Sequence, residues 1–169
     1  MRVREATSDD FGEIARLTVA AYQALDTWVG DDYAAHLADV AARAGAENTM
    51  VLVAEEEADG RILGSVTLTL GDGPYFEWAH GVDGDCGFRM LAVDPAVQRR
   101  GIGPRLVDAC LERAWAAGCR KMVIGSTEWM STAHRIYERI GFRRTPELDQ
   151  QWGDIRGLCF VLDLDLRPT

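Results

Sequence analysis

Residues 98–105 read Gln-Arg-Arg-Gly-Ile-Gly-Pro-Arg and stand between an apolar stretch and a segment with apolar residues at helical spacing. Such a junction suits an anion. The first turn of a helix presents backbone N–H groups without intrahelical partners, and the aligned peptide dipoles add partial positive charge. Gly101 and Gly103 permit left-handed backbone angles and let a phosphate approach the chain, while Pro104 suits the first helical position, which needs no donor. Arg99, Arg100 and Arg105 bring forked cationic donors to the same corner. The run is not a phosphate loop ending in G-K-[ST], and Leu106 stands where the dinucleotide fingerprint needs another glycine. A lone G-x-G between strand and helix is otherwise an ordinary tight turn.

The charge distribution supports an anion there. The 169-residue chain carries −9, which argues against a general nucleic-acid binder. Between Arg99 and Arg144 ten basic residues face four acidic ones, a balance of +6 that leaves −15 for the remainder. Length and an apolar fraction of 47% fit a single domain, residues 1–169, able to bury a core without disulfides. No stretch has the roughly 18 consecutive apolar residues of a membrane helix, and the start "MRVREATSDD" lacks the apolar run of a secretory signal, so the expected location is cytoplasmic. Cys86, Cys110, Cys119 and Cys159 form no C-x-x-C pair and read as buried reduced thiols, with no metal site.

Around the junction the elements follow from periodicity. "RVREA" alternates as a strand, and Thr7 with Asp10 makes a capping-box pattern before Phe11, Ile14, Leu17, Ala21 and Leu25 at helical spacing. A second helix is expected from about Asp31 to Ala44, ended by Gly45. "TMVLVAEE" and "RILGSVTLTL" read as a hairpin turning at Asp59-Gly60, and 71–87 as a glycine-rich loop. "FRMLAV" is a strand, the helix after it buries Leu106, Val107, Cys110, Leu111 and Ala114 and stops at Gly118, and "KMVIGS" is the next strand. A last helix with Ala133, Ile136, Tyr137 and Ile140 closes at Gly141 before the strand "GLCFVLDLDL". The order is α/β, with a βαβ unit over about 88–126 and hence a parallel pair.

These segments resemble the GNAT acetyltransferase superfamily. Gln98, Arg99, Arg100, Gly101, Ile102 and Gly103 meet its Q/R-x-x-G-x-G/A motif, preceded by Leu91, Val93 and Pro95 in place of "L-x-V-x-P". "STAHRIYERIGF" is similar to its second motif, and "VREATSDDFGEIARL" to its opening strand and helix. The resemblance implies a mixed sheet of about six to seven strands flanked by about four helices, with a splayed parallel pair. It implies acetyl-CoA as cosubstrate, its pyrophosphate on Arg99, Arg100, Gly101, Ile102, Gly103 and Pro104, and its pantetheine arm along Leu91, Ala92 and Val93. The Val93 amide would polarise the thioester carbonyl. Tyr137, by its own spacing a core residue on the stripe of Ala133, Ile136 and Ile140, becomes the general acid for the departing thiolate.

Two positions depart from the family pattern. Met130 stands where many relatives carry Asn, leaving Ser131 or Thr132 to replace that side chain, and Gly87 stands where a basic Glu often lies. Glu77, His80, Asp85 and Glu128 are then candidate bases, with Glu128 and Glu77 preferred; His134 reads as helix surface, and His36 has no role. Tyr22, Trp28, Tyr33, Tyr75, Trp78 and Trp129 could line an acceptor pocket. The acidic remainder suits a cationic amine, small or a peptide N-terminus. The leading reading is an N-acetyltransferase acting by direct attack; a non-catalytic acyl-CoA sensor of the same fold is the alternative, and homodimerisation stays open.

Overall fold

The computed structural model describes residues 1–25, 30–76, 85–97 and 99–165, with Trp152 described by its backbone alone. In chain order the elements are β1 Arg2–Glu5, α1 Phe11–Gln23, α2 Asp31–Ala38, α3 Val40–Ala44, β2 Thr49–Glu55, β3 Ile62–Leu70 and β4 Cys86–Val93. Then follow α4 Ile102–Ala116, β5 Lys121–Thr127, α5 Ser131–Ile140, β6 Arg143–Arg144, β7 Gln150–Trp152 and β8 Ile155–Asp163. The sheet runs β1-β2-β3-β4-β5-β8-β6, with β7 also on β8, and every pairing is antiparallel except β4 with β5. None of the described helices is long and apolar enough to cross a membrane.

The expected mixed sheet is present, with two corrections. Strands β6 and β7, two and three residues long, raise the count to eight among the described residues. The helix expected over 31–44 is broken at Asp39, whose ψ of 70° leaves the helical region while its carboxylate caps the Ala42 N–H at 3.1 Å, so five helices result among the described residues. Local capping chemistry overrode a continuous apolar stripe. Elsewhere the local signals hold. The Thr7 N–H donates to the Asp10 carboxylate at 2.8 Å, and Arg4 clamps that carboxylate at 2.7 and 3.0 Å, tying β1 to the start of α1. The Arg4 guanidinium holds the Asp10 pKa down at about 2.

Both faces of the sheet are covered. Ile102, Leu106, Val107, Cys110 and Tyr137 from α4 and α5 bury one face with Leu52, Leu68, Phe88, Ile124 and Phe160. Ile14, Leu17 and Val40 from α1 and α3 cover the other with Val51, Val53, Ile62 and Ala92. Burying such aliphatics stabilises by about 1.5–3 kcal/mol each. Cys86, Cys110 and Cys159 lie buried in this interior outside any disulfide, and burial pushes the first two thiols above the ordinary range.

The site is opened by the way β4 leaves β5. Their parallel ladder is a single pair, Cys86 with Met122. Gly87, expected in a loop, is a residue of β4 at the point of closest approach: a Cβ there would collide with the Val123 carbonyl and come within 2.9 Å of Phe76. No side chain, and so no basic Glu, can stand at that position. Gly87→Ala is expected to cost about 1–3 kcal/mol by overpacking, read as a lowered denaturation midpoint. An unchanged midpoint would show that the strands can part without loss.

Candidate active site

Below the pinch, β4 is freed from β5 and reshaped on its β3 side. Ser65 pairs with Ala92 and Thr67 with Arg89, so Met90 and Leu91 together oppose Val66, and Met90 takes a left-handed φ of 53°. This is a β-bulge, which bends a strand and re-aims the residues beyond it. Past it the Asp94 N–H donates to the Leu63 carbonyl at 2.9 Å and Gly64 faces Val93. In an antiparallel ladder that arrangement turns the Val93 N–H away from β3, toward the gap left by β5. Leu91 and Val93 are half-buried and Ala92 is buried.

From β4 the chain turns into α4 through the anion-prone run. Asp94 starts the turn, accepting from the Ala96 N–H at 2.9 Å and from Arg16 at 3.0 Å. Arg99 and the N-cap Gly101 both take left-handed angles, φ 69° and 72°, and Ile102 opens the helix. The N–H of Arg105 bonds back to the Gly101 carbonyl at 3.2 Å, which leaves those of Ile102 and Gly103 without intrahelical partners. A Cβ on Gly101 would meet nothing within 4 Å, so the cradle is open, whereas Gly103 packs under Ile136 and Val93. Pro104 sits at the third helical position rather than the first; it has no N–H to offer and only shapes the turn. Of the arginines, Arg100 is committed to Glu56 at 2.6 Å, while Arg99 and Arg105 are exposed.

A cavity of about 600 Å³ lies at the splay. Phe88, Met90 and residues 123–127 form its floor and Tyr22, Tyr33, His36, Tyr75 and Arg89 its opposite wall, with Trp129 and Met130 at the β5–α5 turn. Four of the six aromatics expected at an acceptor pocket are therefore there; Trp28 and Trp78 lie outside the described residues, as do Glu77, His80 and Gln98. His36, given no role in sequence, stacks on Tyr75 at 6.0 Å and belongs to the wall.

Tyr137 stands behind this floor. It is 4% exposed and packs edge-on against Phe88 at 5.7 Å and Phe160 at 5.7 Å, with Phe142 at 5.9 Å. Burial pushes its phenol above the ordinary value. Glu128 is exposed between two lining residues, Thr127 and Trp129, without itself lining the cavity. Asp85 is spent on structure, accepting the Arg120 and Lys121 N–H groups at 2.5 and 3.3 Å.

One pair carries no mark in the sequence. His134 is half-buried against Phe160 at 5.1 Å, and its Nε2 lies 3.1 Å from the Oγ of Ser126, a residue of the cavity floor. Burial lowers the His134 pKa; the Thr127 carbonyl and Glu138 oppose that shift and Arg144 adds to it. The two residues are eight apart across a strand–helix turn, a spacing with no periodic signature, so only tertiary structure joins them.

An α/β sheet parted at a parallel pair, with an open helix N-terminus beside the gap and an aromatic cavity across it, has the architecture of an acyltransferase. The profile described as the acetyltransferase (GNAT) family matches residues 8–142, and the chain belongs to that family. No curated protein sequence matches it. Among solved structures, yncA of Salmonella typhimurium with its cofactor acetyl-CoA is 24% identical, covering 99% of this chain and 96% of that one, with a TM-score of 0.65. An aminoglycoside 6′-N-acetyltransferase complexed with coenzyme A is 12% identical over 100% of both chains, TM-score 0.71. A ribosomal-protein-alanine N-acetyltransferase from Brucella melitensis is 19% identical over 96% and 99%, TM-score 0.66.

Proposed function

We propose that the protein transfers the acetyl group of acetyl-CoA to the primary amine of a small molecule or a peptide N-terminus by direct attack. The observation that carries this reading is the junction of the two halves: the ladder-free edge of β4 runs through one short turn into the unpaired amides at the start of α4. A diphosphate fits the amides, and a peptide-like arm fits the edge as an added strand. Acetyl-CoA supplies a thioester open to nucleophilic attack. The N–H groups of Gly101, Ile102 and Gly103, with Arg99, would hold the diphosphate; Leu91, Ala92 and the Val93 N–H would align the arm and the carbonyl oxygen. Tyr137 would give its hydroxyl proton to the leaving sulfur.

The attacking amine must lose a proton. Glu77 and Glu128 are carboxylates within reach by sequence, but Ser126 on the floor is already joined to a histidine whose pKa burial lowers, and this pair is the acceptor the geometry favours. The amine proton passes to Ser126 Oγ as the Ser126 proton passes to His134 Nε2. His134 works only when neutral, and its pKa lies below the usual ~6.5, so turnover falls as pH drops through that lower value. His134→Gln is expected to lower kcat about 10- to 100-fold and to remove that acidic limb. Identical pH–kcat curves for both proteins would exclude the pair.

Release of free thiol from acetyl-CoA in the presence of an amine library tests the function as a whole. Thiol released only with certain amines, with a matching N-acetyl product by mass, is the expected result. Tight CoA binding without release from any amine would make the protein a sensor.

A further inference from the structure

The cavity at the splay has rings along one side and apolar side chains along the other. Its wall is a continuous aromatic row: Tyr22 to Tyr33, Tyr33 to His36 and His36 to Tyr75 are each 6.0 Å apart between ring centroids, the last pair stacked within 11° of parallel. The facing floor offers Phe88 and Met90, both buried. Trp129 and Met130 add an indole and a thioether at the β5–α5 turn, and Gly87 on the floor brings no side chain at all. Rings set this way receive another ring by offset stacking or edge-on contact.

Polar groups reach this lining at a few places. Ser126 brings the hydroxyl that is joined to His134, and the Arg89 guanidinium is seated over the Tyr75 ring at 5.9 Å. Asp32, the one carboxylate among the described lining residues, is exposed at the rim. An ammonium group carried into the slot would shed water without a carboxylate there to replace it, which is costly. Cation–π attraction returns about 30-fold at a desolvated ring, less than that loss. An apolar body gains instead, by roughly fourfold for each methylene it buries. The −9 of the chain draws a protonated amine toward the protein, and the lining then selects its body.

Resting on the acetyltransferase reading, we infer that the acceptor is a primary arylalkylamine: an aromatic ring without a second charge, on a short chain that ends in the reactive nitrogen. The ring lies between the tyrosine wall and the floor of Phe88 and Met90. A cavity of about 600 Å³ is in the range that buries one small molecule. At about 3.3 Å per strand residue, Met90 stands roughly 3–10 Å along β4 from Leu91 and Val93, where the acetyl group is placed, so a short chain brings the nitrogen to the carbonyl carbon. The nitrogen–carbon bond forms there as the carbon–sulfur bond breaks. The amine loses one proton and the sulfur gains one, leaving the N-acetyl amide and the free thiol of coenzyme A.

The test measures thiol release from acetyl-CoA with three matched series: straight-chain monoamines, the diamines of the same lengths, and phenylalkylamines of increasing chain length. Among the monoamines kcat/KM is expected to rise roughly fourfold per added methylene until the slot is full. A second ammonium at the far end should lower it at least about 100-fold against the monoamine of equal length, and the phenylalkylamines should be the best acceptors of all. Tyr75→Ala and Tyr22→Leu, in separate segments of the wall, should each reduce the advantage of phenyl over alkyl about tenfold through KM, with kcat nearly kept. Diamines used as well as monoamines, or peptide N-termini or aminoglycosides used better than every phenylalkylamine, would overturn the inference while leaving the transferase reading intact. No thiol release from any amine would instead remove the transferase reading. Calorimetry of the same amines against the protein then decides the slot: phenylalkylamines bound more tightly than diamines support it, and equal or absent binding overturns it.

Discussion

Gly101→Val should lose at least about 100-fold in coenzyme A affinity, near 2.7 kcal/mol, with little change in thermal stability. The residue caps α4 at φ 72°, and a β-branched side chain resists that region by sterics with its own backbone. Crowding plays no part in this, because a Cβ at that position would meet nothing within 4 Å. Valine would pull the backbone toward an extended or right-handed conformation and turn the Gly101, Ile102 and Gly103 N–H groups off their common point. Hydrogen bonds to a charged group contribute about 1.5–3 kcal/mol each, so misdirecting one or two accounts for the loss. Gly101→Asn separates conformation from bulk, since Asn tolerates left-handed angles. Asn close to wild type and Val far weaker by calorimetry would establish the backbone as the holder; equal losses would make the site a matter of open space, and unchanged affinity in Val would place the diphosphate elsewhere.

The contrast between what could and could not be read from sequence tracks the range of the interactions. The capping box of Thr7 and Asp10, the left-handed glycines at 101, 118 and 141, and the apolar stripe of α4 depend on neighbours within a turn or two, and all were legible. Asp39 breaks a helix through an equally local bond, yet the apolar pattern continued across it and hid the break. The bulge at Met90, the pinch at Gly87 and the unpaired Val93 N–H are properties of strands brought together from distant parts of the chain. Their single-chain signals are an unremarkable methionine and one more glycine in a glycine-rich stretch. The same holds for Ser126 with His134 and for the burial of Arg43 on α3. Family resemblance named Tyr137 as the acid from a motif, where its spacing alone marked a core residue, and the structure places it 4% exposed in the core. The resemblance could not supply the base, since this chain has glycine where one was looked for.

Tyr137→Phe is the sharper chemical test, because it removes a hydroxyl and leaves the ring packed against Phe88, Phe142 and Phe160. Fold and acetyl-CoA affinity should be kept, KM within about threefold, while kcat falls 100-fold or more, the usual range for general acid catalysis. Burial raises the phenol above its ordinary value near 10, so it stays protonated through the neutral range and beyond, and no alkaline loss of rate from Tyr137 is expected below that value. A thiol ionises near 8.5, so moving the proton fully from a less acidic phenol to the thiolate is uphill by more than about 2 kcal/mol. The gain must therefore come from a hydrogen bond that strengthens as charge grows on sulfur, with full transfer after the carbon–sulfur cleavage. That account makes the deficit depend on the leaving group. An activated aryl ester, whose leaving group departs without a proton, should be turned over equally by both proteins, whereas acetyl-CoA should separate them. A deficit of the same size with both donors would reduce Tyr137 to a packing residue, and wild-type turnover of acetyl-CoA by the phenylalanine variant would give the proton donor's place to another group.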